Sequence, residues 1–144
     1  MQAWRAPTAS RPVDAVVAPP ASKSLMARSL VLAALADAPT TLHNPLVARD
    51  SLLMAQALRA LGARVDAPTT GSWQVHPGVA PTTAQIDCGL SGTVMRFVPP
   101  IAALGSASVA FDGDAAARGR PMAELLDALR ALRVVVSPDG ADAL

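Results

Sequence analysis

Ser24-Leu-Met-Ala-Arg28 and Gly92-Thr-Val-Met-Arg96 are the two stretches on which the reading of this chain turns. The second follows the first by 68 residues, and each places an arginine four positions after a small residue. A second echo lies further along, where Ala57-Leu-Arg-Ala-Leu61 returns 71 residues later as Ala128-Leu-Arg-Ala-Leu132. Helices rich in Leu, Ala and Arg resemble one another by composition alone. Here the order of the surrounding elements repeats as well, which describes an internal duplication. Two copies are too few for a solenoid array.

Around these echoes the chain reads as alternating strands and helices. Residues 13–18 alternate as a strand before Pro19 and Pro20. A helix starts at Ser22 or Ser24, both good N-caps, and runs to about Asp37, with Leu25, Leu32, Ala33 and Leu35 as its apolar side. Thr40 to His43 is a short strand. Asp50 caps a second helix that runs to Leu61, burying Leu53, Ala57, Leu58 and Leu61, with Gly62 as the residue beyond its end. Strands follow at 64–66, 73–76 and 85–87. A third helix runs from Gly92 to about Leu104 in spite of Pro99 and Pro100, which cannot donate a helical hydrogen bond. Residues 108–112 form a strand. Residues 121–132 form a helix with Pro121 at its first position, and Val134–Val136 a last short strand.

Composition narrows the function. A chain of 144 residues is enough for one ordinary domain, and 51% apolar residues allow a packed core. Aromatic residues are only 3%, with no tyrosine, which argues against stacking of single-stranded bases. A net charge of +1 without a basic block argues against a duplex-binding face. The single cysteine, Cys88, excludes an intrachain disulfide and a cysteine metal cluster, and fits the cytoplasm. The first dozen residues lack the apolar core of a signal peptide, and no apolar run is long enough to cross a bilayer.

Small anions remain. Ser22-Lys23-Ser24 stands at a helix start, where unpaired amides and the helix dipole favour phosphate or carboxylate. Arg28 shares a helix face with Ser24 and offers a two-pronged grip on an oxyanion. Lys23 is the only lysine, against eleven arginines. Gly89-Leu-Ser-Gly-Thr-Val-Met-Arg96 supplies a second helix start, with Gly92 open to close approach and Thr93 able to cap or donate. Arg118-Gly-Arg120-Pro121 supplies a third cationic group, Arg120 being held extended by the proline after it. For each there is a plainer reading: a serine cap, a loop-to-helix turn, a solvated arginine pair. His43 and His76 are too isolated for a metal site, Asp50 reads as a cap, and Cys88 reads as a small buried residue.

Taken in order, these pieces resemble the 5-enolpyruvylshikimate-3-phosphate synthases, with details like those of high-GC Gram-positive bacteria. The resemblance rests on Pro20-Ala-Ser-Lys-Ser-Leu-Met-Ala-Arg28 with Leu30-Val-Leu-Ala-Ala-Leu35, on Arg49-Asp50 with Ala57-Leu-Arg-Ala-Leu-Gly62, on Asp87-Cys-Gly-Leu-Ser-Gly-Thr-Val-Met-Arg-Phe-Val-Pro-Pro100, on Phe111-Asp-Gly-Asp114, and on Arg118-Gly-Arg-Pro-Met122 with Leu125-Leu-Asp-Ala-Leu129. It implies an α/β (α+β) fold of repeated βαβαββ units, the inside-out barrel of enolpyruvyl transferases. It also implies transfer of the enolpyruvyl group from phosphoenolpyruvate to shikimate 3-phosphate, on the way to chorismate and the aromatic amino acids. No cofactor or metal is implied. Nor is a nucleic acid or membrane partner, and full-length members are expected to be monomers.

By the same resemblance Lys23 is catalytic and contacts both substrates, while Ser24 and Arg28 hold shikimate 3-phosphate. Gly92 and Arg120 bind phosphoenolpyruvate, with Thr93 and Arg96 in the same ligand-facing segment, and glyphosate is expected at Gly92. Ala21, Met26, Ala27 and Gly119 depart from the usual family residues. Family chains are roughly three times longer, beyond single-domain size. The expectation for residues 1–144 is therefore about two repeat units of one truncated domain, without the second domain and without the C-terminal acids and bases, and so inactive alone. Two other readings stay open: a non-catalytic anion-binding remnant, and a relative of the UDP-N-acetylglucosamine enolpyruvyl transferases.

Overall fold

The structure, a computed structural model, describes residues 4–68, 70–80 and 83–137. The ends of the expected truncated domain, 1–3 and 138–144, lie outside them. Its elements run α1 (Lys23–Ala34), β1 (Thr40–Leu42), α2 (Arg49–Ala60), β2 (Arg64–Asp66), β3 (Trp73–His76), β4 (Ala84–Asp87), α3 (Gly92–Ala102), β5 (Val109–Asp112), α4 (Ala115–Arg118) and α5 (Ala123–Ala131). The architecture is mixed helix and sheet.

Two small sheets carry the helices. In the first, β3 lies between β1 and β2 and is antiparallel to both, with Val75 opposite Thr40 on one side and Val65 on the other. Trp73, Val75 and Val65 point inward and are fully buried, while Gln74 between them faces out and donates to Thr41 Oγ1 at 2.9 Å. This is the two-residue periodicity of a sheet with one wet face. Trp73 satisfies its indole by donating to Pro68 O at 3.0 Å. The second sheet pairs β4 and β5 in parallel, with Ile86 opposite Phe111, and α3 forms the crossover that parallel pairing requires.

The middle of the molecule is α2. It packs on α1, on α3, and on strands β2 and β4. Leu53, Ala57, Leu58 and Leu61, the side expected from spacing, are buried together with Met54, and each fully buried leucine contributes on the order of 1.5–3 kcal/mol. Gly62 follows its end with φ +107°, as a residue beyond a helix C-cap should.

Of the side of the first helix expected to be apolar, only Ala33 is buried. Met26, Ala27, Leu30, Ala33 and Ala34 are in the core, whereas Leu25, Leu32 and Leu35 are exposed. The helix is apolar nearly all round, so period alone does not choose a face. Three alanines lie on the inward side, and α1 packs on α2, β3 and α3. The helix also ends at Ala34, three residues short of Asp37.

Four further expectations need correction. Residues 13–18 form no strand, and Val13, Val16 and Val17 are 80%, 103% and 78% exposed. Residues 134–136 form none either. Both segments have strand-like sequences, but a strand exists only against a ladder partner, and the described residues offer none. Asp50 is not the cap of α2: Ala48 occupies that position, and Asp50 lies in the first turn. Pro121 lies outside α5, which begins at Ala123 after Met122.

Candidate functional site

Ser22 caps α1, its hydroxyl accepting from Leu25 N at 3.3 Å. That leaves Lys23 and Ser24 as the first helical residues, with amides that have no intrahelical partner. Arg28, one turn on, donates to Ser24 Oγ and to Ser24 O at 3.2 Å. Its guanidinium also stands over Phe97 of α3, 5.4 Å from the ring centroid, within the range of a cation–π contact. Lys23 forms an ion pair with Asp50 at 3.2 Å and remains 60% exposed.

The same arrangement recurs at α3. Ser91, fully buried, caps the helix by accepting from Val94 N at 3.4 Å. Thr93 therefore is not the cap; its hydroxyl lies 3.0 Å from that of Ser91. Gly92 is the first helical residue. A methyl group placed on Gly92 would come within 3.0 Å of Arg120 Nη1 and 3.1 Å of Arg96 Nη1. Two guanidinium groups thus converge on the bare backbone at a helix N-terminus, where the dipole adds to their positive potential.

Arg120 gets there through a turn that was not expected, α4. Asp114 is the N-cap of α4, and Arg120 N donates to Ala117 O at 2.9 Å just beyond its end. Two forked ion pairs brace this region. Arg118 donates to both oxygens of Asp112 at 2.9 Å. Arg49 donates to both oxygens of Asp114 at 2.7 and 2.8 Å. The hydrogen bonds from Arg49 and Arg118 hold the carboxyls of Asp114 and Asp112 below the usual carboxylate range, and the two arginines are raised in return.

Cys88 is buried beside this site. Loss of hydration, with the charges of Asp87 and Asp112 nearby, pushes its thiol up to about 11, so it is no nucleophile at neutral pH. His43 and His76 make local contacts, with Ser72 and Arg64 respectively. Among the described residues no group of His, Cys, Asp or Glu is arranged to hold a metal ion, and no helix is long and apolar enough to cross a membrane.

Of the seven residues singled out from sequence, Gly92, Arg96 and Arg120 form one cluster, with Thr93 on its helix. Arg28 joins α3 at Phe97, the neighbour of Arg96. Lys23 and Ser24 engage Asp50 and Arg28 instead. Sequence reasoning passed over Asp50, Arg49 and Asp114 as participants. Asp50 reads as a cap in sequence, and only the fold brings it to Lys23. The signal for the others was present: Arg49-Asp50 and Asp114 both fall inside the stretches that carry the family resemblance.

The profile of the family described as EPSP synthase (3-phosphoshikimate 1-carboxyvinyltransferase) matches residues 7–140. Two solved structures of EPSP synthase from Acinetobacter baumannii, one of them at 2.37 Å, are similar to this chain. Each has a TM-score of 0.75 and 28% sequence identity over 86% of this chain. The chain spans 29% of the length of those proteins.

Proposed function

We propose a function from one premise: the chain belongs to the EPSP synthase family, a family of shikimate-pathway transferases. It binds shikimate 3-phosphate and phosphoenolpyruvate in the cytoplasm, as the part of an enolpyruvyl transferase that gathers its anionic substrates. One observation carries the reading, the convergence of Arg96 and Arg120 on Gly92 at the start of α3.

Both substrates carry several negative charges and repel one another. Fixed cations and helix-start amides offset that repulsion, and donors set in advance also stabilise charge that develops as the shikimate hydroxyl adds to the enol phosphate of phosphoenolpyruvate and inorganic phosphate leaves. Arg120, Arg96 and the backbone at Gly92 take phosphoenolpyruvate, and glyphosate competes there. Lys23, Ser24 and Arg28 take shikimate 3-phosphate, with Lys23 reaching both.

The carboxylates near the cluster are each held by a partner. Asp50 pairs with Lys23, Asp112 with Arg118, and Asp114 with Arg49, while Asp87 accepts from Gly89 N at 2.7 Å. By the family resemblance the acids and bases of the reaction belong to a later part of such proteins, and the 144 residues alone bind without turnover.

Calorimetric titration with each substrate tests the binding, and phosphate release with both substrates tests turnover. Binding should weaken by about 1.5–3 kcal/mol in Lys23→Ala or Arg120→Ala, the cost of a lost hydrogen bond to a charged group. Phosphate binding indifferent to both substitutions would instead favour a non-catalytic remnant, and measurable phosphate release would overturn the claim of no turnover.

A further inference from the structure

Arg49 and Asp114 are 65 positions apart in sequence and joined by two nearly equal hydrogen bonds. An aspartate at an N-cap ordinarily gives its carboxylate to the helix amides. Asp114 occupies the N-cap of α4 but makes no such bond, and both oxygens go to Arg49.

Both halves of the Gly92–Arg120 cluster connect to this pair. Asp114 N donates to Gly89 O at 2.9 Å, and Gly89 begins the turn that leads to Gly92. Arg49 fills the space beside Gly89, where an added methyl would come within 3.0 Å of its Nη2. On the other side, Asp114 O accepts from Ala117 N at 2.7 Å, and Ala117 O accepts from Arg120 N. A single short turn thus runs from Asp114 to Arg120.

We propose that Arg49 and Asp114 are positioning residues that hold the turn carrying Arg120 against the start of α3, so that its guanidinium faces Gly92. The role in ligand binding rests on the function proposed above. The side chains are 61% and 38% exposed, and an exposed ion pair contributes little to folding. The pair therefore acts on geometry, and binding is the place to see it.

The test uses the 144-residue chain with Arg49→Met, Asp114→Asn and the double variant. Phosphoenolpyruvate is titrated by calorimetry, and the Nε–Hε resonance of Arg120 is recorded by NMR without ligand. Each single variant should melt within about 3 °C of the parent, bind about tenfold more weakly, and shift the Arg120 resonance. The double variant should bind no more weakly than the worse single, because both remove one interaction. If Arg49→Met does not fold, Arg49→Lys keeps the charge without the fork and serves in its place. Unchanged affinity and an unmoved resonance in the singles would overturn the proposal, as would effects that add in the double. If the parent does not bind phosphoenolpyruvate, the function proposed for this chain fails. The Arg120 resonance then decides alone: a shift in both singles supports the positioning pair, and no shift overturns it.

Discussion

Lys23 Nζ stands 3.2 Å from Asp50 Oδ2, so the chain's only lysine is already engaged by a carboxylate on the neighbouring helix. An incoming phosphate has to compete with that carboxylate or share the ammonium with it. Asp50 thus lowers the attraction of the helix start for anions while keeping Lys23 near it.

Removing the charge should reveal the competition. Asp50→Asn is expected to tighten binding of inorganic phosphate by up to about 1 kcal/mol, the scale of an exposed pair. The gain should shrink in high salt. Phosphate titrations at two ionic strengths check this. Weaker binding in the variant would show that Asp50 organises Lys23 rather than competing for it.

A second prediction concerns Gly92. Alanine there gains helix propensity over glycine, and the atoms its methyl would meet are the mobile tips of Arg96 and Arg120. Gly92→Ala should therefore melt no lower than the parent. It should nevertheless bind phosphoenolpyruvate more weakly, because both guanidinium groups are pushed off the helix start. Thermal melts beside calorimetry separate these effects. A variant that loses stability and affinity together would point to a packing role instead.

Gly89 should behave in the opposite way. It has φ +50°, and a methyl there would come within 2.7 Å of Leu53 Cδ1 in the core as well as crowding Arg49. Left-handed backbone at a residue other than glycine costs on the order of 1–3 kcal/mol, and the clash adds to it. Gly89→Ala is expected to lower stability by at least that amount in urea unfolding. A loss well below 1 kcal/mol would mean that the turn relaxes freely.

These three positions mark what a reader of the sequence can and cannot see. The meeting of Gly92 with Arg120 was legible because both lie in motifs that fall in a recognisable order. The α2 core face was legible because polar residues interrupt it at helical spacing. The α1 face was not, since Leu25 and Met26 are equally apolar and only the approach of α2 selects between them. Residues 13–18 and 134–136 carry the β-rich pattern of strands, yet pairing is a property of two segments, and their own residues do not reveal whether a partner is there. The Arg49–Asp114 fork joins residues 65 apart, and Asp50 meets Lys23 across two helices, distances at which sequence spacing carries no geometric information.

The last prediction is the response to acid. The carboxyls of Asp112 and Asp114 are held below their ordinary range by Arg118 and Arg49, while in the unfolded chain they titrate near 3.9. A group with a depressed folded pKa stabilises the fold at pH above its unfolded value. That contribution disappears as pH falls through the folded value. The contribution of these two groups should therefore be constant above about pH 5 and be lost below about pH 4. Melting temperatures across that interval should fall more gently in Asp112→Asn/Asp114→Asn than in the parent, while the two proteins start from different plateaus near neutrality. Both groups are open to solvent, so high salt should flatten the parent's profile as well. Parallel profiles for parent and double variant would show that other carboxylates set the acid limit, and that the two forks leave no mark on stability in solution.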